Sequence, residues 1–202
     1  MENKKIMLKE AGILFAITLI AGLVLGFVYE LTKDPIRRQE EKAIQEACRA
    51  VFAEAVDFEE TNYVPGASMT QELAQTGVEI GTVYEAMDGF GENMGYVVQS
   101  TTSEGYGGDI ILYVGVTKDG VLNGISILSI AETPGLGMNA QSVLVPQFEN
   151  VSATHFTYTK SGSTSDSEID AISGATVTTE AIVNAVNGGV MVVTEDLLKG
   201  GN

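Results

Sequence analysis

The pattern of apolar and polar positions divides the chain into three parts. The first is an uninterrupted apolar run of nineteen residues, from Ala11 to Tyr29, without a charged side chain. At about 1.5 Å per residue, a helix of this length spans the roughly 30 Å hydrocarbon core of a bilayer. Apolar residues then recur at helical spacing from Ile44 to Ala55, and strand-like alternation follows. The pattern predicts a membrane helix, a connecting helix and a body containing a sheet.

The connecting helix has a predicted start at Asp34-Pro35, the pattern of an N-cap followed by proline at the first helical position. We expect this helix from about residue 35 to 56. Cys48 lies on its apolar stripe and is predicted to be a packed, unreactive thiol. Residues 57–76 are mixed and polar, and we expect a loop there.

The body contains several segments with strand-like patterns and one strong turn signal. Lys118-Asp119-Gly120 is typical of a hairpin turn. His155, the chain's single histidine, is expected at an ordinary sheet position, and 160–169 is expected to be a polar loop. Strands are predicted over 78–86, 94–101, 109–117, 121–130 and 153–159, and a final helix over about 178–198. The fold class is therefore α+β, a mostly antiparallel sheet flanked by helices and preceded by one N-terminal transmembrane helix.

Charge and composition exclude several classes of function. From residue 50 onward there are three basic and 20 acidic residues, a net charge of −17, within a chain of net charge −16. So acidic a body repels phosphate backbones, which argues against nucleic-acid binding. One cysteine and one histidine exclude an internal disulfide framework and cysteine- or histidine-rich metal sites, so no metal site is predicted.

The apolar run has basic residues on both sides, so charge alone does not fix its orientation. The usual arrangement, with a short basic N-terminus in the cytoplasm, places the acidic body outside. The alternative is a cleaved signal peptide, but the run exceeds the usual 7–15 apolar residues and no small-x-small site with a polar mature start appears after it. Thr18, Gly22 and Gly26 form a small-residue stripe that weakly indicates a partner helix.

Three short patches are candidates for chemistry, and the first directly precedes the final helix. Its sequence, Asp170-Ala-Ile-Ser-Gly-Ala-Thr176, places small residues where a ligand can approach the backbone. Free N–H groups at a helix start favour a phosphate, and Ser173, Thr176, Thr178 and Thr179 add hydroxyl groups. The alternative on these residues alone is ordinary capping of the helix by Ser and Thr.

The other two patches are rich in glycine. The second patch, Glu132-Thr133-Pro134-Gly135-Leu136-Gly137, directly follows a predicted strand and has one apolar side chain between its two glycines. The third patch, Gly105-Tyr106-Gly107-Gly108-Asp109, precedes another predicted strand. Taken singly, these two patches also fit an ordinary tight loop and a turn.

On a chain with one membrane helix, the three patches together resemble the covalent FMN-binding domain of bacterial membrane electron-transfer complexes. The resemblance covers nearly the whole chain and is strongest to the G subunit of the Rnf complex, a relative of the C subunit of the sodium-translocating NADH:quinone reductase. In that family a flavin transferase splits FAD and esterifies FMN to the last threonine of the motif, which corresponds to Thr176.

The resemblance also implies which residues contact the cofactor. Leu136 is expected near the flavin ring, Asp170 corresponds to the acidic residue that begins the motif, and Tyr106 is a looser correspondence. The implied cofactor-binding residues are Glu132, Thr133, Pro134, Gly135, Leu136, Gly137, Asp170, Ser173, Gly174, Ala175, Thr178 and Tyr106. No side chain is expected to act as a general acid or base.

The resemblance implies a domain plan and a function. The expected regions are a cytoplasmic N-terminus (1–10), a transmembrane helix (11–30), a connecting helix (31–57) and an extracytoplasmic FMN-binding domain (58–202). The function implied is electron relay, through phosphoester-linked FMN, within a membrane ferredoxin:NAD oxidoreductase complex that pumps sodium ions or protons. Its partners would be the other Rnf subunits and the flavin transferase. The alternatives are a stand-alone membrane-tethered flavoprotein and an anchored phosphate- or solute-binding module without redox activity.

Overall fold

The computed structural model describes residues 2–200, with side chains from residue 4 onward. It forms two compact units, one up to residue 43 and one from residue 44 onward. A single long helix, α1 (Glu2–Val51), supplies all of the described part of the first unit. Side chains 4–42 are exposed, and the helix is long and apolar enough to cross a membrane.

The predicted helix start at Asp34-Pro35 is wrong, because Pro35 lies inside α1. Proline costs roughly 3 kcal/mol in a helix interior, but the nearby Lys33, Arg37 and Arg38 are good helix formers. Asp34 pairs with Arg37 at 3.6 Å, and Arg37 also lies 3.6 Å from Glu41. These exposed pairs each contribute little to stability, but they show that the Asp34 side chain pairs with an arginine one turn further along the same helix. The connecting helix also ends at Val51, short of the predicted residue 56 or 57.

The second unit is built on a five-stranded sheet in which each strand pairs antiparallel with the next along the chain. The Thr117 N–H donates to the Val121 carbonyl across the predicted hairpin turn, and Gly120 there has φ +78°. The strands are β1 (Asp57–Glu60), β2 (Val78–Met87), β3 (Asn93–Thr102), β4 (Ile110–Thr117) and β5 (Leu122–Ser129). The predicted α+β fold is confirmed, as are four of the predicted strands.

The sheet is covered on both faces, which explains why β4 is buried along nearly its whole length. One face packs against the end of α1, where Val51 and the following Phe52 are buried. Gly95 and Gly115 make room for them, since a β-carbon at Gly95 would lie 2.8 Å from Phe52 and one at Gly115 would lie 2.8 Å from Val51. The other face carries the larger core, which includes the last long helix.

The remaining elements connect β5 to that helix. Two 3-10 turns (Gly137–Asn139 and Val145–Phe148) flank the short α3 (Ala140–Val143). The rings of Phe148 and Phe156 pack edge to face at 5.3 Å within this connection. The parallel pair β6 (Thr157–Thr159) and β7 (Glu168–Asp170) follows, then α4 (Thr176–Met191) and a π-helical turn (Val192–Leu197).

Several local predictions need correction. Residues 57–76 are not all loop, since they contain β1 and α2 (Ala67–Gln75), whose Met69 and Leu73 are buried. Two buried positions in nine residues are too few to produce a clear helical pattern in the sequence. β6 covers only the end of predicted strand 153–159, so His155 is an exposed residue before a strand. β7 begins inside the predicted 160–169 loop.

Candidate functional site

All three patches meet at one cavity of about 570 Å³, a size typical of small-molecule sites. The third patch contributes Tyr106, the second contributes four residues and the first reaches the cavity through the start of α4. The lining residues are Tyr106, Glu132, Thr133, Leu136, Gly137, Gly174, Ala175, Thr176, Val177 and Thr178. None of these lining residues is basic, so positive charge from the lining must come from backbone N–H groups.

The start of α4 supplies such N–H groups. The Ala175 N–H donates to the Ile172 carbonyl at 3.0 Å, closing a tight turn in which Gly174 has φ +79°. The helix then begins at Thr176, with no side chain capping its first turn and no acidic residue in that turn. An uncapped helix start directs unpaired N–H groups and a positive dipole end towards whatever occupies the cavity. The predicted alternative, capping by Ser or Thr, therefore does not describe this helix.

The threonines of the first turn differ in their availability. Thr179 is fully buried, and its hydroxyl donates to the Ala175 carbonyl at 2.9 Å and accepts from the Ile172 N–H at 3.1 Å. Thr178 is 1% exposed and faces Gly137, where a β-carbon would lie 2.6 Å from its Oγ1. Thr176 is half-buried and lines the cavity. Of the three hydroxyl groups, that of Thr176 is the one most open to a reagent.

The second patch forms a compact loop over the same cavity. The Thr133 carbonyl accepts hydrogen bonds from the N–H groups of Leu136 (3.1 Å) and Met138 (3.3 Å). Gly135, with φ +78°, provides the backbone angle that this turn requires. Leu136 is 40% exposed, and its Cδ2 lies 3.2 Å from the β-carbon position of Gly174. The loop thus places one apolar side chain beside the start of α4.

Glu132, the first residue of the second patch, contacts the third patch. This carboxylate is 6% exposed, and its Oε1 accepts a hydrogen bond from the Gly107 N–H at 3.2 Å. Tyr106, next to Gly107, is 76% exposed and lines the cavity. Glu132 is the one carboxylate among the residues that line this cavity.

Some expected contacts do not reach the cavity in this structure. Pro134, Gly135 and Ser173 are exposed near it but do not line it. Asp170 lies on β7, where its Oδ1 accepts from the Ser163 N–H at 2.6 Å and its backbone pairs with the Gln147 side chain. This geometry indicates a role in ordering the 160–169 segment.

One lining residue, Val177, was missed by the sequence reasoning. It lines the cavity and is 50% exposed. The only signal that could have identified it is its place directly after Thr176, since an exposed valine in a helix carries no chemical motif of its own.

His155 lies apart from this cavity. It lines a second one of about 510 Å³, together with residues of α2 and of the end of α4 such as Leu73 and Met191. Within residues 2–200, no group of three or more His, Cys, Asp or Glu side chains has an arrangement suited to a metal ion.

Comparison with known families places both parts of the chain. Residues 1–51 match the RnfG N-terminal region, and residues 105–190 match the FMN-binding domain, a range that contains all three patches. The crystal structure of NqrC from Shewanella oneidensis superposes with a TM-score of 0.52 at 19% identity, covering 76% of this chain and 88% of that one. At that identity the likeness concerns the fold alone.

Relatives align over nearly the full length of the chain. The G subunit of the proton-translocating ferredoxin:NAD(+) oxidoreductase complex of Clostridium ljungdahlii is 34% identical, covering 92% of this chain and 95% of its own. The G subunit of the corresponding Na(+)-translocating complex of Acetobacterium woodii is 32% identical, covering 93% and 92%. The G subunit of the ion-translocating oxidoreductase complex of Methanosarcina acetivorans is 28% identical, covering 94% and 96%. The chain therefore belongs to the family of G subunits of Rnf ion-translocating oxidoreductase complexes.

Proposed function

We propose that this protein carries FMN in the 570 Å³ cavity, bound as a phosphoester to Thr176, and relays electrons within a membrane ferredoxin:NAD oxidoreductase complex that exports sodium ions or protons. The observation that carries the proposal is the convergence of the three patches around the uncapped start of α4. The names of the relatives, which include both a Na(+)- and a proton-translocating complex, support the type of complex and leave the ion open.

The residues of the cavity fit an FMN group. The uncapped first turn of α4 offers N–H donors to the two non-bridging oxygens of a phosphoester. Such local donors matter because the acidic body, with a net charge of −17 from residue 50 onward, opposes an anionic ligand. Leu136 and Val177 offer apolar surface, and Tyr106 offers an exposed ring. When bound, the flavin supplies the redox chemistry, and the protein supplies position and surroundings.

The choice of Thr176 over its neighbours rests on access and on hydrogen bonding. The Thr179 hydroxyl already has two backbone partners, at 2.9 and 3.1 Å. Thr178 is almost wholly enclosed beside Gly137. Thr176 occupies the first helical position and lines the cavity, so a flavin transferase can reach its Oγ1 without opening the fold.

The proposal includes a membrane topology. The apolar part of α1 would span the bilayer once, with residues 1–10 in the cytoplasm and the flavin-bearing body on the extracytoplasmic side. A covalent bond would then retain the cofactor where it would otherwise diffuse away. The proposed partners are the other subunits of the complex and, during maturation, the flavin transferase.

The attachment is tested by denaturing gel electrophoresis followed by flavin fluorescence of the band. Wild type from cells containing the transferase should fluoresce, and intact-mass spectrometry should show one added FMN. Thr176→Val should abolish both signals, whereas the matched variant Thr178→Val, which also exchanges one hydroxyl for a methyl, should retain them. A dark wild-type band, or FMN mapped to another residue, would reject the proposal.

Two further measurements separate the alternatives. A colourless purified protein would favour an anchored phosphate- or solute-binding module, because flavins absorb blue light and such a module does not. If the yellow protein is solubilised in mild detergent and purifies without other membrane subunits, it is a stand-alone carrier. We expect a yellow protein that co-purifies with other Rnf subunits.

A further inference from the structure

Glu132 is an unusual lining residue, because it is a carboxylate that is 6% exposed in a cavity lined without Lys or Arg. Burying a charged or polar group costs free energy unless hydrogen bonds compensate. The compensation that the structure provides is a backbone donor: the Gly107 N–H, 3.2 Å from Oε1. The carboxylate thus connects two segments that are separated by the whole of β4 and β5.

The glycines around Glu132 permit this connection. A β-carbon at Gly105 would lie 2.9 Å from Glu132 Oε1, and one at Gly107 would overlap the Ala131 carbonyl oxygen. On the opposite side, a β-carbon at Gly137 would lie 2.9 Å from Oε2 and 2.6 Å from Thr178 Oγ1. The absence of side chains at Gly105, Gly107 and Gly137 therefore allows two loops and the start of α4 to pack around the Glu132 carboxylate.

We propose that Glu132 is a positioning residue that latches the glycine-rich loop 105–108 to the loop 132–137. The latch sets the width of the cavity and holds Tyr106 at its mouth. It acts through the hydrogen bond to the Gly107 N–H. The proposal concerns the cavity itself and does not depend on which ligand fills it.

The first test measures exchange of the Gly107 amide in the wild type. The full-length chain is produced without the flavin transferase and kept in mild detergent, and hydrogen exchange is followed at single-residue level. The Gly107 amide should exchange at least about tenfold more slowly than the amides of the exposed residues Gly162, Ser165 and Asp166, because it is hydrogen-bonded. Equal exchange rates would overturn the latch, and this result requires no variant to fold.

The second test uses chymotrypsin, with Tyr106 as the reporter. Tyr106 is 76% exposed and Phe90, in the β2–β3 turn, is 95% exposed, so cleavage after Phe90 is an internal reference. Glu132→Ala should accelerate cleavage after Tyr106 by roughly tenfold, since a hydrogen bond to a charged group is lost. Cleavage after Phe90 should stay unchanged. An unchanged Tyr106 rate in a folded Glu132→Ala protein would overturn the proposal.

Two variants separate the latch from a general loss of structure. Glu132→Gln keeps an acceptor oxygen at nearly the same place and should restore the slow cleavage to within about twofold. Glu149→Ala, which truncates an exposed carboxylate outside the cavity, should behave as wild type. If Glu132→Ala unfolds, cleavage will also appear after the fully buried Phe148. The rate of cleavage after Tyr106 in Glu132→Gln then tests the hydrogen-bonding role. Fast cleavage of a folded Glu132→Gln protein would contradict a hydrogen-bonding role.

A third arm uses the flavin-loaded chain and rests on the proposed function. Opening the latch should increase quenching of flavin fluorescence by acrylamide in Glu132→Ala and leave Glu132→Gln near wild type. Unchanged quenching in a folded, loaded Glu132→Ala protein would contradict the proposed width control. Absence of flavin would instead reject the proposed function, while the first two arms would still test the latch.

Discussion

Both α1 and the helical segment formed by α4 and its π-helical turn are long and apolar enough to cross a membrane, yet their surroundings are opposite. No residue in the most apolar 18-residue stretch of α1 is buried, whereas 67% of the residues in the corresponding stretch of Thr176–Leu197 are buried. Their glycines show why. Gly188 and Gly189 face core side chains so closely that a β-carbon would lie 2.8 Å from Val78 or Val114, whereas Gly12, Gly22 and Gly26 have no neighbour within 4 Å. Apolar composition predicts that a helix leaves water, and the packing partners decide whether it enters protein or lipid.

The largest effect is expected from removing residues 1–43. A chain beginning at Ile44 retains the buried positions Ala47, Cys48, Val51 and Phe52 and loses the exposed apolar run. We expect it to fold and to stay in solution without detergent, while the full chain sediments with membranes. Sedimentation and circular dichroism check this. A truncated chain that is unfolded or still membrane-bound would contradict the assignment of the two helices to lipid and core.

The next effect is expected from filling the contact between α4 and the sheet. Gly189→Val places atoms where Val114 already lies, and overpacking of this kind costs about 1–3 kcal/mol or more. We expect a correspondingly lower midpoint of urea unfolding in mild detergent. Gly12→Val is the matched control, because nothing lies within 4 Å of that position in α1. Similar midpoints for the two variants would show that α4 is not tightly packed.

A smaller effect concerns the buried end of α1. Burial raises the pKa of the Cys48 thiol to about 12, from an ordinary value of 9.0. Above pH 9 the unfolded chain loses this proton and the folded chain keeps it, so the free energy of unfolding falls as pH rises towards 12. The slope is about 1.4 kcal/mol per pH unit for each such group, and burial of Tyr113 raises its pKa as well.

Urea unfolding between pH 7 and about 10.5 measures this slope, since the lower limit leaves both states protonated. Cys48→Ala should lose some stability at pH 7 and show a shallower decline above pH 9. The wild-type thiol should also react with alkylating reagents far more slowly in the folded than in the unfolded state. Rapid alkylation of the folded chain would contradict the burial of this end of α1.

The smallest effect on the isolated chain is expected from Gly22→Leu, in the stripe formed by Thr18, Gly22 and Gly26. The position is open, so the unfolding midpoint should not change. If the stripe faces a partner helix, the larger side chain prevents close approach and less of the complex co-purifies. Gly12→Leu is the control outside the stripe. Equal recovery of the complex with both variants would reject a partner helix at the stripe.

How far the sequence predicts the fold depends on the length of each element and the strength of its pattern. β2 to β5 have eight to ten residues each, and the prediction found all four. β1 and β7 have four and three residues, too few for alternation to be visible. Asp34-Pro35 misled the prediction because it was read as a local start signal, whereas the helix is already continuous on both sides of Pro35.

The candidate site shows the same division. The three patches and Thr176 were recognisable from their residues and from the family resemblance, and residues from all three patches line one cavity. The sequence did not predict that Asp170 is held by Ser163 and Gln147. Nor did it predict that Ser173 lies outside the lining of the cavity. Asp170 is held in part by Gln147, which is too distant along the chain for a local pattern to reveal the contact.

The sequence by itself determined the apolar span of α1, the order of the long strands, the acidity of the body and the chemical groups available at Thr176. These properties depend on residue type and on spacing over a few turns or strand pairs. Only the tertiary structure decided that α4 packs against Val78 and Val114, that the Thr179 hydroxyl accepts from the Ile172 N–H and that Glu132 reaches Gly107. The physical reason is that burial and hydrogen bonding are properties of pairs of groups, and partners such as Glu132 and Gly107 are separated along the chain by β4 and β5 and meet only in the folded domain.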